Sequence, residues 1–271
     1  MTDEATAVWV PAEVDLRQPS VARIYDYLLG GAHNFEVDRE VAKKLLIVQP
    51  NARDIARRNR AFLQRVVRFL VGEGVRQFLD LGSGIPTVGN VHEVAQQLAP
   101  GTRVVYADYE RVAVAHSQLL LDGNDDADIV CADVTQTKDV LTASATTRLL
   151  DFSQPIGILA ITLGHYISPA ADPVGMFATY RDAVTPGSYL ALTHLTNDFD
   201  SVHGEEIIEM FRSTRDNVFP RSRAEVMELF TGFELVEPGM VTTSHWRPEP
   251  GVTTALDPED DGLYAAVGKR L

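Results

Sequence analysis

Asp80, Gly82, Ser83 and Gly84 lie in the run Phe78-Leu-Asp-Leu-Gly-Ser-Gly-Ile-Pro-Thr87, where an apolar segment ends in a Gly-x-Gly turn. Pro86 is placed to open a helix behind it. Glycines let the backbone approach a ligand closely, at the carboxyl ends of strands where open α/β sheets bind ligands. Two ligand classes suit such a turn. A dinucleotide calls for a third small residue and an uncrowded helix N-terminus for its pyrophosphate. Here Thr87 stands at the third-glycine position and Asp80 sits two residues before Gly82. A carboxylate so close repels pyrophosphate, whose stabilisation depends on positive partial charge. S-adenosylmethionine has no phosphate and brings an ammonium and a sulfonium, which a carboxylate favours directly or through water. The charge at Asp80 therefore selects the methyl donor over NAD. A carboxylate that only organises the turn through backbone hydrogen bonds would be compatible with either.

The next two strand ends repeat the theme. Val104-Val-Tyr-Ala-Asp108 finishes on an acid 28 positions after Asp80, suited to accept both ribose hydroxyls, as it would be in an NAD site. Tyr109 follows and can pack on an adenine face. Ile129-Val-Cys-Ala-Asp133 ends on another acid, able to accept from the adenine amino group with Val134 on the ring. Any one of these acids can instead be a helix cap. Cys131, inside a strand, reads as core rather than nucleophile.

The elements that must position these residues follow from periodicity. Short apolar runs at 75–81, 103–108, 127–133, 156–163 and 188–194 alternate with helical patterns at 86–98, 111–121, 138–150 and 173–184. That grammar means βαβ units and a mostly parallel sheet with helices on both faces. Later come two helical patterns and strands at 233–242 and 263–270, joined by a Pro- and acid-rich loop at 245–261. Ahead of the sheet, an extended arm over 1–19 leads to helices at 21–29, 37–46 and 54–71, the first stopped by Gly30 and Gly31. The expected organisation is an N-terminal arm and helical lid over 1–72 and a ligand-binding α/β domain over 73–271, together one structural unit.

Composition narrows the function classes. The chain has 271 residues, 45% apolar and 23% charged, which suits a folded domain with a sizeable core. Its 24 basic and 38 acidic side chains give a net charge of −14, which argues against a protein built to grip phosphate backbones. Residues 51–76 run the other way, with seven arginines against two acids, either as a solvated helix face or as a hold on an anionic ligand or partner. A single cysteine forms no internal disulfide, no Cys/His pair has zinc spacing, residues 1–11 lack a basic n-region with an apolar run, and no apolar run reaches membrane length. A cytoplasmic protein without a resident metal is expected.

Asp-Leu-Gly-Ser-Gly, Tyr-Ala-Asp and Cys-Ala-Asp-Val resemble motifs of class I S-adenosylmethionine-dependent methyltransferases. More narrowly, nearly the whole chain is similar to an actinobacterial methyltransferase family long catalogued as a domain of unknown function. Ser20-Val-Ala-Arg-Ile-Tyr-Asp-Tyr-Leu-Leu-Gly-Gly, Ala56-Arg-Arg-Asn-Arg-Ala-Phe, Gly164-His-Tyr-Ile and Ser244-His-Trp-Arg-Pro carry that similarity. The resemblance implies a Rossmann-like sheet of seven strands with the last antiparallel, and binding of the methyl donor; it implies no acceptor.

Methyl transfer from a sulfonium is an in-line displacement, so a site must align donor and acceptor and sometimes remove a proton. In that architecture the loop Thr162-Leu-Gly-His165-Tyr166 opens beside the methyl group, Thr162 against the donor and Tyr166 toward the acceptor. His165 is the general-base candidate, with His194 and His203 behind it. A histidine at a strand end also serves as a packing or hydrogen-bonding residue. Asn59 is a polar residue on an apolar stripe and needs a partner, in the donor site or in a neighbouring loop. Arg60 beside it is shaped to meet the donor's carboxylate. Tyr25, Asn34 and Phe35 flank the Gly30-Gly31 break, where a hinge would let the extension close over ligand; core packing is the plainer alternative. No Asn-Pro-Pro or Asp-Pro-Pro resembling base-directed amino methyltransferases occurs, and no cysteine sits in a strand-end loop to attack a pyrimidine. A small-molecule acceptor is expected, with no nucleic-acid or membrane partner. The rival readings are a nicotinamide-dependent oxidoreductase and a non-catalytic binder of the methyl donor.

Overall fold

The computed structural model describes residues 15–199, 204–212, 214–251 and 257–271. Residues 1–14, most of the expected arm, and His203 lie outside that set. Its centre is a sheet made from β1 (Gln77–Leu81), β2 (Arg103–Asp108), β3 (Ala127–Cys131), β4 (Gly157–Ala160), β5 (Tyr189–Leu195), β6 (Phe233–Leu235), β7 (Val241–Thr242) and β8 (Leu263–Arg270). Strand order is β3-β2-β1-β4-β5-β8-β6, with β7 pairing β8 off the path. β1 through β5 pair in parallel, whereas β8 runs antiparallel to β5, β6 and β7. The order reverses between β1 and β4, which opens a crevice at their carboxyl ends.

Helices cover both faces because the parallel strands are apolar on both. On one face Leu79, Leu81, Val105 and Ile158 pack with α6 (Thr137–Leu141), α7 (Ser144–Leu149) and α8 (Pro173–Ala183). On the other Phe78, Val104 and Tyr106 meet α3 (Ala52–Gly72), α4 (Val91–Leu98) and α5 (Arg111–Leu120). α3 thus belongs to the sheet's own layer, through Phe62, Val66, Val67 and Leu70. α1 (Val21–Leu29) and α2 (Glu36–Val48) form a separate cluster with Ala52 and Ala56 at the start of α3 and with Ile207 and Phe211 of α9 (Gly204–Phe211). α10 (Arg223–Glu228) and α11 (Pro258–Asp261) complete the set among the described residues.

Several boundaries differ from the sequence expectation for local reasons. The helix expected from Pro86 starts at Val91: Gly89 has φ +79°, and Glu93 accepts from Asn90 N at 2.9 Å to set the true start. The single helix expected over 138–150 is two, and Thr142 Oγ1 bonds back to Lys138 O at 2.8 Å where they part. The strand expected over 233–242 is β6 and β7, parted by Pro238, which has no N–H for a ladder. Cys131 closes β3 with its side chain exposed rather than in the core.

The basic helix α3 clasps the end of the chain. Arg58 pairs with Asp261 at 2.8 Å, Arg65 donates to Thr243 O at 2.6 Å and Trp246 O at 3.0 Å, and Arg68 meets Glu249 at 3.1 Å. These cations are committed to the residues before β8, so the arginine run is a spine for the C-terminal segment. A second ion cluster ties α1 and α2 to the sheet. Arg23, 2% exposed, donates to Asp38 at 2.8 Å and to Glu110, just beyond β2, at 3.0 Å. Asp38 also accepts from Ser20 N and Phe35 N.

Candidate functional site

A cavity of about 440 Å³ opens at the crevice between the β1 and β4 ends, roofed by α1 and the 215–219 segment. Its floor is the Gly82-Ser83-Gly84 turn. Both glycines have φ +66°, a backbone that favours glycine, and the N–H groups of Gly82 and Ser83 bond to Ala107 O. A Cβ added to Gly82 would lie 2.7 Å from Leu163 Cδ1, whereas one on Gly84 would stand in open space. The turn therefore abuts the β4 exit at one glycine and faces the cavity at the other.

The three strand-end acids occupy distinct settings. Asp80 is buried, and no hydrogen bond from a described residue reaches its carboxylate. Burial pushes its pKa up to about 7; Arg60 opposes the rise and Asp108 adds to it. Asp108 accepts from Gly84 N at 2.7 Å and from Glu110 N at 2.8 Å, and burial raises it to about 6. Tyr109 N–H also favours its charged form, and a carboxylate's four acceptor positions leave room for a further donor. Asp133 is exposed on the rim and holds Thr135 through one oxygen, at 2.9 Å to its N and 2.7 Å to its Oγ1.

One corner of the cavity has more polar groups than the protein answers. Among the described residues, Arg60 Nε, Ser83 Oγ and Thr87 Oγ1 are buried without a hydrogen-bond partner, and all three residues line the cavity with Asp80. The remaining contacts of Arg60 are long, 3.3 Å to Asn90 Oδ1 and 3.5 Å to Gly89 O. Buried polar atoms are normally paired, so such a cluster is complementary to something that enters the site. Three potential donors beside one carboxylate match a carboxylate and an ammonium on one carbon. The corner thus fits the amino-acid end of S-adenosylmethionine, and a pyrophosphate fits it poorly.

Asp80, Gly82, Ser83, Gly84, Asp108, Tyr109, Asp133, Val134, Thr162, Asn59, Arg60, Tyr25 and Tyr166 all line the cavity. Three expected residues do not. Asn34 is buried against Asp26 and Gly31 O, at 2.8 and 3.0 Å, and Phe35 packs under Arg23 beside the Ile85 cluster. His165 is 4% exposed and lies outside the lining. Its Nδ1 accepts from Leu195 N at 3.2 Å, and burial, with His194 and Arg221 adding to it, holds the ring well below the usual histidine range. His194 is buried too: its Nε2 accepts from Arg221 at 2.9 Å and its Nδ1 donates to Leu195 O at 2.7 Å. Both rings are buried beside the 164–167 turn. Asn59 reaches no loop; its amide bridges Tyr25 on α1, at 2.9 Å, and Thr193 on β5, at 2.8 Å.

Sequence reasoning missed the roof. Arg215 lies over the Tyr109 ring at 4.2 Å, the Tyr109 hydroxyl donates to Asp216, and Arg215 N bonds to Pro19 O. The polar run Arg215-Asp216-Asn217 has no periodicity or motif to mark it. Glu110 was also missed: it caps α5 by accepting from Ala113 N at 2.8 Å while holding Arg23. In all, the lining carries Asp80, Asp108, Glu110, Asp133 and Asp216 against Arg60 and Arg215, with no histidine among the described residues. Among the described residues no group of three or more metal-binding side chains occurs, and no helix is long and apolar enough to cross a membrane.

Comparisons with known proteins converge on one family. The sequence pattern of the S-adenosyl methyltransferase family matches residues 7–271. A crystal structure from Thermobifida fusca YX, described as a candidate methyltransferase, is 38% identical, with a TM-score of 0.91 over 97% of this chain and 99% of that one. A DUF574 family protein from Streptomyces avermitilis is 33% identical, with a TM-score of 0.91 over 95% of this chain and 99% of that one. No curated protein matches the chain. The chain belongs to the S-adenosyl methyltransferase family, and S-adenosylmethionine is its methyl donor.

Proposed function

We propose that this protein transfers a methyl group from S-adenosylmethionine to a small molecule held under α1 and the 215–219 roof. The observation that carries the reading is the corner where Arg60 Nε, Ser83 Oγ and Thr87 Oγ1 are buried without a partner among the described residues, beside the buried Asp80. In this reading Arg60 Nε and the two hydroxyls hold the donor's carboxylate, and Asp80 answers its ammonium. Asp108 accepts from the ribose hydroxyls, and Asp133 and Val134 border the adenine. The bound donor supplies an electrophilic methyl on a positively charged sulfur. The protein's contribution is to orient it, exclude water and surround the moving charge with carboxylates. A net charge of −14 and a cavity lined mainly by acids favour a small neutral or cationic acceptor over nucleic acid.

The nicotinamide reading loses its footing at the same corner, because Asp80 has no pyrophosphate-compatible role there. A binder that never turns over keeps the donor contacts and lacks an acceptor; release of S-adenosylhomocysteine with an acceptor panel separates the two.

Asp80 gives the reading a pH signature. A carboxyl titrating at about 7 in the free protein must lose its proton to meet an ammonium. Affinity for S-adenosylhomocysteine is therefore expected to rise by roughly 20-fold from pH 5.5 to 7.5, with proton release on binding. Asp80→Asn should bind more weakly and flatten that profile. Calorimetry in buffers of different ionisation enthalpy reads both; a wild-type profile already flat would refute the assignment of Asp80 to the ammonium.

A further inference from the structure

We propose that Tyr25 sets the chemistry of the methyl acceptor: its hydroxyl offers a lone pair and no proton beside the β4 exit, so the nucleophile is a primary or secondary amine held through an N–H. The inference rests on the donor placement given above.

The hydroxyl's polarity is fixed by a chain of hydrogen bonds whose direction can be followed from end to end. Thr162 N–H, which can only donate, reaches Thr193 Oγ1 at 2.8 Å. Thr193 donates in turn to Asn59 Oδ1 at 2.8 Å, which directs the Asn59 Nδ2 group to Tyr25 Oη at 2.9 Å. The Tyr25 proton then goes to Ala56 O at 3.1 Å, a carbonyl that can only accept. The assigned amide orientation is the one that gives each member a partner: turned over, it would leave the Thr193 proton without the Asn59 acceptor and the Tyr25 oxygen without a donor among the described residues. Asn59 is 1% exposed and Thr193 0%, so water does not compete with these bonds. A phenol oxygen accepts twice, and Asn59 takes one place. The other has no donor among the described residues, and burial keeps the phenol neutral by raising its pKa.

The position follows from the turn. With ribose at Asp108 and the amino-acid end at Arg60, the sulfur between them lies over Gly82. Gly82 abuts Leu163, and Thr162 beside it is held at φ +54° with its N–H anchored in the chain just described. Tyr25 lines the same cavity from α1 and is the other end of that chain. A left-handed threonine is strained, and the bond to Thr193 is what over-determines it.

The cavity's charge selects the nucleophile. Its lining has five carboxylates and two guanidiniums, an acidic surround that favours a cationic amine over a neutral alcohol as the molecule that enters. The amine first gives one proton to solvent; once neutral, it needs no base during the step. Its lone pair forms the N–C bond while the S–C bond breaks, sulfur keeps that electron pair as a neutral thioether, and the positive charge passes to nitrogen. The N–H proton bonded to Tyr25 stays on the product ammonium and leaves later to solvent. A hydroxyl acceptor would have to lose its proton within the step.

Sinefungin reads whether the Tyr25 lone pair reaches the transfer position, because an amine-bearing carbon stands where the methyl sulfonium would be. Release of S-adenosylhomocysteine from the donor with a panel of amines and matched alcohols reads the acceptor itself, and turnover with the alcohols alone overturns the amine. Wild-type protein is expected to bind sinefungin at least about 10-fold more tightly than S-adenosylhomocysteine, as befits a charged hydrogen bond. Tyr25→Phe should bring that ratio to within about 2-fold of unity while S-adenosylhomocysteine binds as before, since the lost acceptor faces only the added amine. Thr193→Val, which frees the Asn59 amide, reads the same ratio if Tyr25→Phe does not fold, and should bring it below about 3-fold. A ratio unchanged in these variants, or no preference in wild type, overturns the role of Tyr25 alone. Failure of S-adenosylhomocysteine to bind wild type overturns the donor reading and this inference together.

Discussion

Asp108→Ala is expected to weaken S-adenosylhomocysteine by at least about 100-fold, because the carboxylate works on two sides at once. Toward the ligand it offers its remaining acceptor capacity to the ribose. Toward the protein it holds Gly84 N and Glu110 N at 2.7 and 2.8 Å, which fixes the floor of the cavity against the end of β2. Removing it leaves those two N–H groups unpaired, and each unsatisfied buried group costs about 1–3 kcal/mol. The floor then loosens in the place where glycine already allows the most backbone freedom. Calorimetric titration of folded Asp108→Ala checks the prediction; an affinity within about 3-fold of wild type would show that the ribose is held elsewhere.

Arg23→Met is the largest expected loss of stability, about 3–5 kcal/mol, read from the urea midpoint at constant slope. The guanidinium is buried between Asp38, itself 0% exposed, and Glu110. Methionine matches much of its volume and none of its charge, so two carboxylates stay in a poorly solvated place without their cation. Asp38 keeps its bonds from Ser20 N and Phe35 N, which anchor the start of α1 and of α2. Glu110 keeps Ala113 N. The loss should therefore fall on the docking of α1 and α2 onto the end of β2, and ligand affinity should fall with it. A change below about 1 kcal/mol would mean that the cluster is solvated in solution.

What the sequence disclosed was local. The Gly-x-Gly turn, the acids at the ends of β2 and β3, and helix α1 are each written in a handful of neighbouring residues. α1 runs Val21–Leu29 as its periodicity implies, and Gly30 closes it at φ +87°. What it withheld depends on partners distant in the chain. Nothing near Asn59 announces Thr193, 134 positions away, and nothing near Arg23 announces Glu110, 87 positions away. A histidine at a strand end, as at His165, often faces a cleft. Its burial on Leu195 N is settled by the path of β5, which single-sequence patterning does not reveal. Pro86 suggested a helix start that Gly89 and the Asn90–Glu93 pair moved to Val91. The 215–219 roof has no regular structure, so only the fold brings Asp216 to Tyr109.

The most direct test is calorimetric titration of the wild-type protein, in parallel, with S-adenosylhomocysteine, 5′-methylthioadenosine and NAD. The thioadenosine shares the adenosine contacts and lacks the amino-acid end. The account predicts micromolar binding of S-adenosylhomocysteine, binding of the thioadenosine weaker by at least about 30-fold, and no measurable binding of NAD. Equal affinity for the first two ligands would contradict the role given to Arg60, Ser83, Thr87 and Asp80. Binding of NAD in preference to S-adenosylhomocysteine would contradict the account as a whole.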